Sequence, residues 1–295
     1  MTQPDFLELA ANAVVVSLPM KVAFRGIRER EALLFEGPNG WAEWSPFVEY
    51  EDHEARVWLD GALEQAFGQP REVGNVNVNA TLPAVNPSEI SGILSSFGSF
   101  DTVKIKVAEA GQSIEDDLAR VAKTRELYPM AQLRIDANGG YTVEQALEVA
   151  ERVGELDYFE QPCRTIGELA ELRVKLRGAV RIAADESVRK VEDPMAVVQA
   201  GAADVLVLKA QPLGGVTNAL RIAAECGLPV TVSSALETRI GLQAGFALAT
   251  ALGGTTAHGL GTANFFVNQE PFGQLADLDR RTWWLERLER CLSIV

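Results

Sequence analysis

The chain has 295 residues, with 27 Lys and Arg against 41 Asp and Glu, which gives a formal net charge of −14. An acidic chain without basic runs repels polyphosphate, so nucleic acids and anionic membrane surfaces are excluded as partners. Its two histidines leave little room for histidine-rich metal sites. Its three cysteines form no CxxC pair, which indicates free buried thiols in a reducing compartment.

The start of the chain shows neither a signal peptide nor a membrane anchor. Asp5 and Glu8 lie where a signal peptide would carry positive charge, and the apolar run 13–16 is far too short to cross a bilayer. We therefore expect a soluble, cytoplasmic protein with no obligate protein partner.

Residues 1–74 predict a small α+β capping domain. The segment from Glu31 to Trp44 contains Asn39-Gly40 between apolar runs, which is typical of a β-hairpin. The apolar positions of His53–Phe67 recur at helical spacing.

Residues 75–270 alternate short β-branched runs with helical segments, which predicts repeated βαβ units and parallel pairing. Eight such runs favour a closed (β/α) barrel of the TIM type over an open Rossmann-type sheet, since no GxGxxG motif follows any of them. We expect the remaining residues, 271–295, to pack back on the barrel or the cap. The predicted strands are Val76–Leu82, Val103–Val107, Leu133–Ala137, Tyr158–Glu160, Arg181–Asp185, Val205–Leu208, Val230–Ser234 and His258–Leu260.

Polar residues recur at the carboxyl ends of six successive predicted strands. Neighbouring members are 24 to 30 residues apart, which is the length of one βα unit. Because these strand ends meet at one face of a barrel, we expect the six side chains to share a cavity. They are Lys106, Asp136, Glu160, Asp185, Lys209 and Ser234.

Three carboxylates on adjacent strands repel one another in a partly dry cavity unless a cation neutralises them. All-oxygen ligands favour Mg²⁺ or Mn²⁺. A lysine beside such a cation and a second lysine has a lowered pKa, which suits it to remove a proton next to a carboxylate. Taken singly, Asp136 is also compatible with a helix cap, Glu160 with a turn and Asp185 with a helix start.

The chain resembles the enolase superfamily, in its muconate-lactonizing-type subgroup, along essentially its whole length. This resemblance implies a modified TIM barrel with an N-terminal α+β cap. The matching segments are Lys104-Ile-Lys106, Arg134-Ile-Asp136-Ala-Asn138, Phe159-Glu160-Gln-Pro162, Ala183-Ala-Asp185-Glu186-Ser187 and Val207-Leu-Lys209.

Further segments are most similar to a short, actinobacterial-like branch of the subgroup. They are Val207–Gly215, Ser233–Thr238 and the early stretch Phe24–Arg30 followed by Glu36–Phe47. The resemblance implies a Mg²⁺-dependent syn dehydration in menaquinone biosynthesis. The implied substrate is the anionic dicarboxylate 2-succinyl-6-hydroxy-2,4-cyclohexadiene-1-carboxylate, and the implied product is 2-succinylbenzoate.

The resemblance also implies a role for each site residue. Lys106 would be the base and Lys209 a cation that stabilises the enediolate. Asp136, Glu160 and Asp185 would bind Mg²⁺, for which Mn²⁺ would substitute. The supporting or substrate-binding candidates are Lys104, Asn138, Glu186, Ser234, Gly259 and the cap-loop residue Arg25.

Two other enzyme classes remain open. Paired lysines are compatible with racemisation of N-acylamino acids, although Ala257–Gly261 lacks the Asp-x-Asp motif of the dipeptide epimerases. A more remote alternative is a Schiff-base aldolase in which Lys209 attacks a carbonyl, but this leaves three carboxylates without a role.

Overall fold

The computed structural model describes residues 4–24, 26–189 and 194–294. Its amino-terminal part is a three-stranded antiparallel sheet in the order β1-β2-β3, flanked by helices. The predicted hairpin is present, and its strands meet at Gly37 and Gly40, where the φ of +98° at Gly40 suits glycine. The elements are α1 Phe6–Asn12, β1 Val14–Phe24, β2 Ile27–Gly37, β3 Gly40–Trp44 and α2 Asp52–Phe67.

A curled sheet of seven parallel strands follows, and its strands are adjacent in chain order from β4 to β10. Each strand has three to five residues. The strands are buried and rich in β-branched residues. They are β4 Ala80–Leu82, β5 Thr102–Lys106, β6 Gln132–Asp136, β7 Tyr158–Glu160, β8 Ile182–Ala184, β9 Val205–Leu208 and β10 Val230–Val232.

The eighth predicted strand, His258–Leu260, is reduced to two single bridges. His258 pairs with Val78 and Gly259 pairs with Ser233, both in the parallel sense. These bridges span the space between the first and last strands of the sheet, which confirms the predicted barrel fold. Gly259 suits this tight crossing, since a Cβ there would lie 2.7 Å from the Ser233 hydroxyl oxygen.

Helices connect the strands and cover the barrel. Three of them begin with a capping box, in which Ser113, Thr142 or Thr165 accepts a backbone N–H and the third helical residue bonds back. The N-cap residue of α5 is therefore Thr142, so Asp136 does not cap this helix. The helices are α3 Ile90–Leu94, α4 Ile114–Leu127, α5 Val143–Arg152, α6 Ile166–Leu176, α7 Glu186–Arg189, α8 Met195–Gln199, α9 Val216–Cys226 and α10 Leu242–Leu252.

The last helix, α11 Leu278–Leu292, packs on the amino-terminal sheet. Trp284 is fully buried there, makes an edge-to-face contact with Trp44, and donates its indole N–H to Glu31. The three cysteines are free and buried, as predicted. Among the described residues, no helix combines the length and the apolar composition that crossing a bilayer requires.

Candidate active site

The predicted polar residues converge at the carboxyl ends of the barrel strands. In the strand register Lys106 lies opposite Asp136, and Asp136 lies opposite Glu160. Asp185 and Lys209 each follow the last residue of the next two strands, β8 and β9. All five side chains are buried, although charged groups are rarely buried without a partner.

Each lysine of the cluster forms a close ion pair with a carboxylate. Lys104 Nζ lies 2.8 Å from Asp136 Oδ2 and 2.5 Å from Glu160 Oε1, and Lys106 Nζ lies 2.6 Å from the same Asp136 oxygen. On the other side of the cavity, Lys209 Nζ lies 2.5 Å from Asp185 Oδ2. Three ammonium groups thus balance three carboxylates, which is how a dry cavity holds six charges.

This packing separates the pKa values of the two lysines on β5. Burial lowers the pKa of Lys106, and the neighbouring charge of Lys104 lowers it further, against the attraction of Asp136. Burial also opposes the charged form of Lys104, but Asp136 and Glu160 outweigh it and raise its pKa well above the usual value. Lys106 is therefore the more acidic of the two ammonium groups.

The carboxylates differ in the same way. Burial raises the pKa of Glu160 to about 7, and the charge of Asp136 adds to this effect. Burial acts in the same direction on Asp136, but Lys104 and Lys106 hold its pKa well below the usual range. Glu160 is the carboxylate that has most to gain from an additional positive charge.

The donor set suits a hard divalent cation. Glu160 Oε2 is buried and accepts no hydrogen bond within the described residues, so one oxygen remains for a further ligand. The lysine ammonium groups contact the other carboxylates. In this arrangement no three acidic, histidine or cysteine side chains of the described part are grouped to hold a metal. Three buried carboxylates on neighbouring strands nevertheless provide the oxygen donors that Mg²⁺ or Mn²⁺ prefers.

Asn138 and Glu186 support this cluster. Asn138 accepts a hydrogen bond from Lys106 Nζ at 2.5 Å, and its amide donates to Glu186 Oε1 at 3.2 Å. Its backbone N–H also donates to Asp136 Oδ1. Asn138 has a φ of +47°, which asparagine tolerates better than most residues. Asp185 directly precedes the short helix α7, so the alternative of a helix start also describes its local structure.

The three lysines and Asp136 line a cavity of about 30 Å³ that four apolar side chains also line. Phe24 and Phe47 come from the amino-terminal sheet and its exit, and Ala235 and Leu236 come from the loop after β10. A neighbouring cavity of about 370 Å³ shares Phe24, Lys106 and Asn138. Ser234 and Gly259 lie in the wall, whereas Arg25 lies outside the described residues.

A larger cavity, of about 540 Å³, is at the other end of the barrel and has no cluster of lysines and carboxylates like this one. Its buried Arg134 is already paired with Asp157 at 2.8 Å. The size of a cavity therefore does not locate the active site here, whereas the grouping of lysines with carboxylates does.

From the cap, sequence reasoning assigned only Arg25 to the site and gave no role to four other cap residues. Phe24 and Phe47 line the candidate cavity, and Arg30 and Glu43 are buried charged residues where the cap meets the barrel. A signal was present, since Glu43 stands between Trp41 and Trp44 in a strand where a charged residue is costly to bury. One partner of Glu43 is local, the Ser45 hydroxyl at 2.7 Å, but nothing local indicated Thr238 and Gly241, which are 195 and 198 residues away along the chain.

Two protein-family models match the chain, one in its amino-terminal part and one in its barrel. Residues 15–66 match the enolase N-terminal domain-like family, and residues 92–279 match the enolase C-terminal domain-like family. The chain is 46% identical to the o-succinylbenzoate synthase of Mycobacterium ulcerans, in an alignment that covers 100% of this chain and 96% of that protein. It is 44% identical to the o-succinylbenzoate synthase of Mycobacterium tuberculosis, with 99% and 97% covered.

Solved structures share the fold at low identity. The L-Ala-D/L-Glu epimerase of Bacillus subtilis superimposes with a TM-score of 0.74 at 20% identity, covering 87% of this chain and 90% of that one. The dipeptide epimerase of Enterococcus faecalis, complexed with Mg and the dipeptide L-Leu-L-Tyr, gives a TM-score of 0.74 at 21% identity, covering 88% and 91%. At these identities the likeness concerns the fold alone.

Proposed function

The chain belongs to the o-succinylbenzoate synthase family of hydro-lyases in the enolase superfamily, and from this premise we propose that it makes 2-succinylbenzoate in menaquinone biosynthesis. The proposed reaction is the syn dehydration of 2-succinyl-6-hydroxy-2,4-cyclohexadiene-1-carboxylate. The observation that carries the proposal is the buried cluster in which Lys106 pairs with Asp136, Lys209 pairs with Asp185, and both lysines line one cavity. Removing a carbon-bound proton next to a carboxylate needs a base on one side and positive charge around the carboxylate.

Lys106 is the proposed base. In its neutral form, its Nζ takes the proton from the ring carbon that bears the carboxylate. The electrons of that C–H bond pass into the substrate carboxylate to give an enediolate, and they complete the aromatic ring when the C–O bond to the hydroxyl breaks. The same Nζ returns the proton to the departing oxygen, which leaves as water, so both transfers occur on one face. The lowered pKa of Lys106 supports this role, because the neutral amine becomes more accessible.

Lys209 is the proposed electrostatic partner on the other face. Its Nζ donates a hydrogen bond to Asp185, and in the proposed role its ammonium group stabilises the negative charge that develops on the substrate carboxylate. Lys104 is the proposed source of the charge that makes Lys106 more acidic, since it shares Asp136 with Lys106.

Asp136, Glu160 and Asp185 are the residues that we propose hold Mg²⁺, with Asn138 and Glu186 orienting them. When bound, Mg²⁺ supplies positive charge for the substrate carboxylate. The open oxygen of Glu160 and the oxygen-only donor set support this assignment. Mn²⁺, which prefers the same donors, is expected to substitute.

Ser234 and the backbone at Gly259 are proposed to bind the succinyl tail, and Arg25 to meet a substrate carboxylate. With a net charge of −14, the molecule as a whole repels a dianionic substrate. Three lysines and a bound dication would make this cavity positive, so local charge would oppose the overall field.

The direct test is to follow formation of the aromatic product by ultraviolet absorbance with purified protein and Mg²⁺. An N-succinylamino acid serves as the second substrate, because paired lysines are also compatible with racemisation. Faster turnover of the cyclohexadiene substrate supports the proposal. Faster racemisation of the N-succinylamino acid would replace it with a racemase assignment.

A further inference from the structure

The cap holds the loop after β10 through two buried charged residues. Arg30, on β2, donates to the carbonyl oxygens of Leu236 and Ala235 at 3.2 and 3.3 Å. It also donates to the carbonyl of Ser45 within the cap, and its guanidinium lies 4.4 Å from the ring centroid of Phe47. One side chain thus joins the cap backbone, an aromatic residue of the cavity wall, and the loop.

Glu43, on β3, holds the other end of the same loop. Its carboxylate accepts the backbone N–H groups of Thr238 and Gly241 and the hydroxyl of Thr238 at 2.5 to 3.1 Å. Arg30 is 2% exposed and Glu43 is fully buried. Burying a charge is costly unless its hydrogen bonds are satisfied, so both contacts fix the loop firmly to the cap.

A third contact joins the cap to the loop after β9. Gln211 accepts the backbone N–H of Ser45 at 2.8 Å and donates to the carbonyl of Glu43 at 2.9 Å. Gln211 is two residues beyond Lys209. The cap strands therefore hold the two barrel loops that border one side of the cavity.

The held loop has a conformation that needs support. Leu236 has a φ of +64°, in the left-handed region that residues with a Cβ avoid, yet its side chain is buried in the cavity wall. The carbonyl oxygens of Ala235 and Leu236 point to Arg30, and the N–H of Ala235 bonds to Glu237. These backbone groups therefore bond to Arg30 and Glu237, while the apolar residues Ala235 and Leu236 line the cavity.

We propose that Arg30 and Glu43 are positioning residues for substrate binding, because they hold the loop 233–241, whose Ala235 and Leu236 form an apolar part of the pocket wall. This inference rests on the proposed function, since the wall would contact the apolar ring edge of the substrate. Neither residue reaches the reacting atoms. Their loss should weaken substrate binding and leave the lysine chemistry in place.

The experiment compares steady-state kinetics of Arg30→Met, Arg30→Lys and Glu43→Gln with the wild type, using Mg²⁺ and the cyclohexadiene substrate. We expect Arg30→Met to raise KM at least tenfold, with kcat within about threefold and an unchanged pH profile of kcat. Arg30→Lys keeps the charge but cannot reach both carbonyls, so its KM should be intermediate. Leu288→Ala is the matched control, because it opens a cavity in the fully buried cap core beneath α11.

A purely structural role predicts a different result. If Arg30 only joins the two parts of the protein, its variants should behave like Leu288→Ala, with less active enzyme, a lower apparent kcat and an unchanged KM. That pattern would overturn the proposal. Should Arg30→Met fail to fold, Arg30→Lys and Glu43→Gln decide the question by the same split between KM and kcat.

Hydrogen exchange of the loop amides provides a readout that needs no turnover. We expect amides 235–241 to exchange faster in Arg30→Lys and Glu43→Gln, and not in Leu288→Ala. Unchanged exchange in both variants would overturn the positioning role. If the wild type does not turn over the substrate but these amides behave as expected, the proposed function fails and the loop attachment stands.

Discussion

Lys106 Nζ lies 2.6 Å from Asp136 Oδ2, and the two residues face each other in the register of neighbouring parallel strands. The proposed base is therefore held by one of the proposed metal ligands. Asn138 contacts both residues, through Lys106 Nζ and the Asp136 carboxylate. Proton transfer and metal binding are expected to depend on the same small group of atoms.

Replacing Lys106 by alanine should lower kcat by at least ~10²–10⁴-fold, because it removes the general base. The measurement is product formation at saturating Mg²⁺, with circular dichroism to establish folding. Lys123→Ala is the matched control, since Lys123 is an exposed lysine that pairs only with Glu126 among its described contacts. Turnover of Lys106→Ala close to that of the control would refute the base assignment.

Lys209 should stay unmodified when the enzyme is treated with borohydride in the presence of substrate. The succinyl chain contains a ketone, so an aldolase-type lysine would be trapped as a reduced adduct. A cationic Lys209 that is hydrogen-bonded to Asp185 is a poor nucleophile. Intact-mass analysis followed by peptide mapping measures the outcome. An adduct on Lys209, together with activity that resists chelators, would favour the Schiff-base alternative.

Removing divalent cations with a chelator should abolish turnover, and Mg²⁺ should restore it. Mg²⁺ should also raise the thermal unfolding temperature, because a ligand that binds only the folded state stabilises it. Glu160→Gln should weaken both effects, whereas the exposed Glu126→Gln should change neither. Full activity after exhaustive chelation, with no shift in unfolding temperature on adding Mg²⁺, would contradict the metal assignment.

Glu237→Gln should stabilise the protein above pH 7. Burial raises the pKa of Glu237 to about 7, and the charge of Glu43 adds to the effect. The folded state therefore holds a proton that the unfolded state, with a pKa near 4.5, releases, so stability is lost as pH rises through this window. Glutamine keeps an acceptor for the Ala235 N–H. It also removes the cost of burying an ionised Glu237, which lowers the free energy of unfolding by up to about 3 kcal/mol above pH 7.

Urea denaturation between pH 4.5 and 8 measures this effect. The difference between Glu237→Gln and the wild type should grow from pH 4.5 to 7 and stay constant above it. A difference that does not change with pH would show that Glu237 has an ordinary pKa.

His258 should have the opposite pH dependence. Burial and the nearby charge of Arg134 together lower its pKa to about 4. Between pH 4 and 6.5 the unfolded state binds the additional proton, so this histidine makes stability rise with pH. His258 Nδ1 accepts the Val232 N–H at 3.0 Å, and asparagine can replace that acceptor without titrating.

The unfolding free energy of His258→Asn should therefore rise less steeply with pH in this range than that of the wild type. Urea denaturation at pH 5.0, 6.0 and 7.0 provides the comparison. Equal slopes for the two proteins would indicate that His258 is not held neutral.

The spacing of polar residues was sufficient to predict that these side chains would meet at one end of the barrel. Lys106, Asp136, Glu160, Asp185 and Lys209 recur with the period of a βα unit, and parallel strand ends must meet at one face of a barrel. The hairpin around Asn39-Gly40 was equally clear, because its turn chemistry is local. Such features depend on neighbours within one structural unit of the chain.

The tertiary structure alone decided which charges pair and how the cavity is completed. The pairing of Lys104 with Glu160 depends on side-chain packing, which the strand period does not specify. The contacts of Arg30 with Leu236 join residues 206 positions apart, and β-strand alternation could not assign Arg30 to the interior without its partner. The sequence alone determined the barrel and the meeting of its charged residues at one face, because both follow from local periodicity. The apolar wall required the fold, because it is built by distant segments that meet only when the cap packs on the barrel.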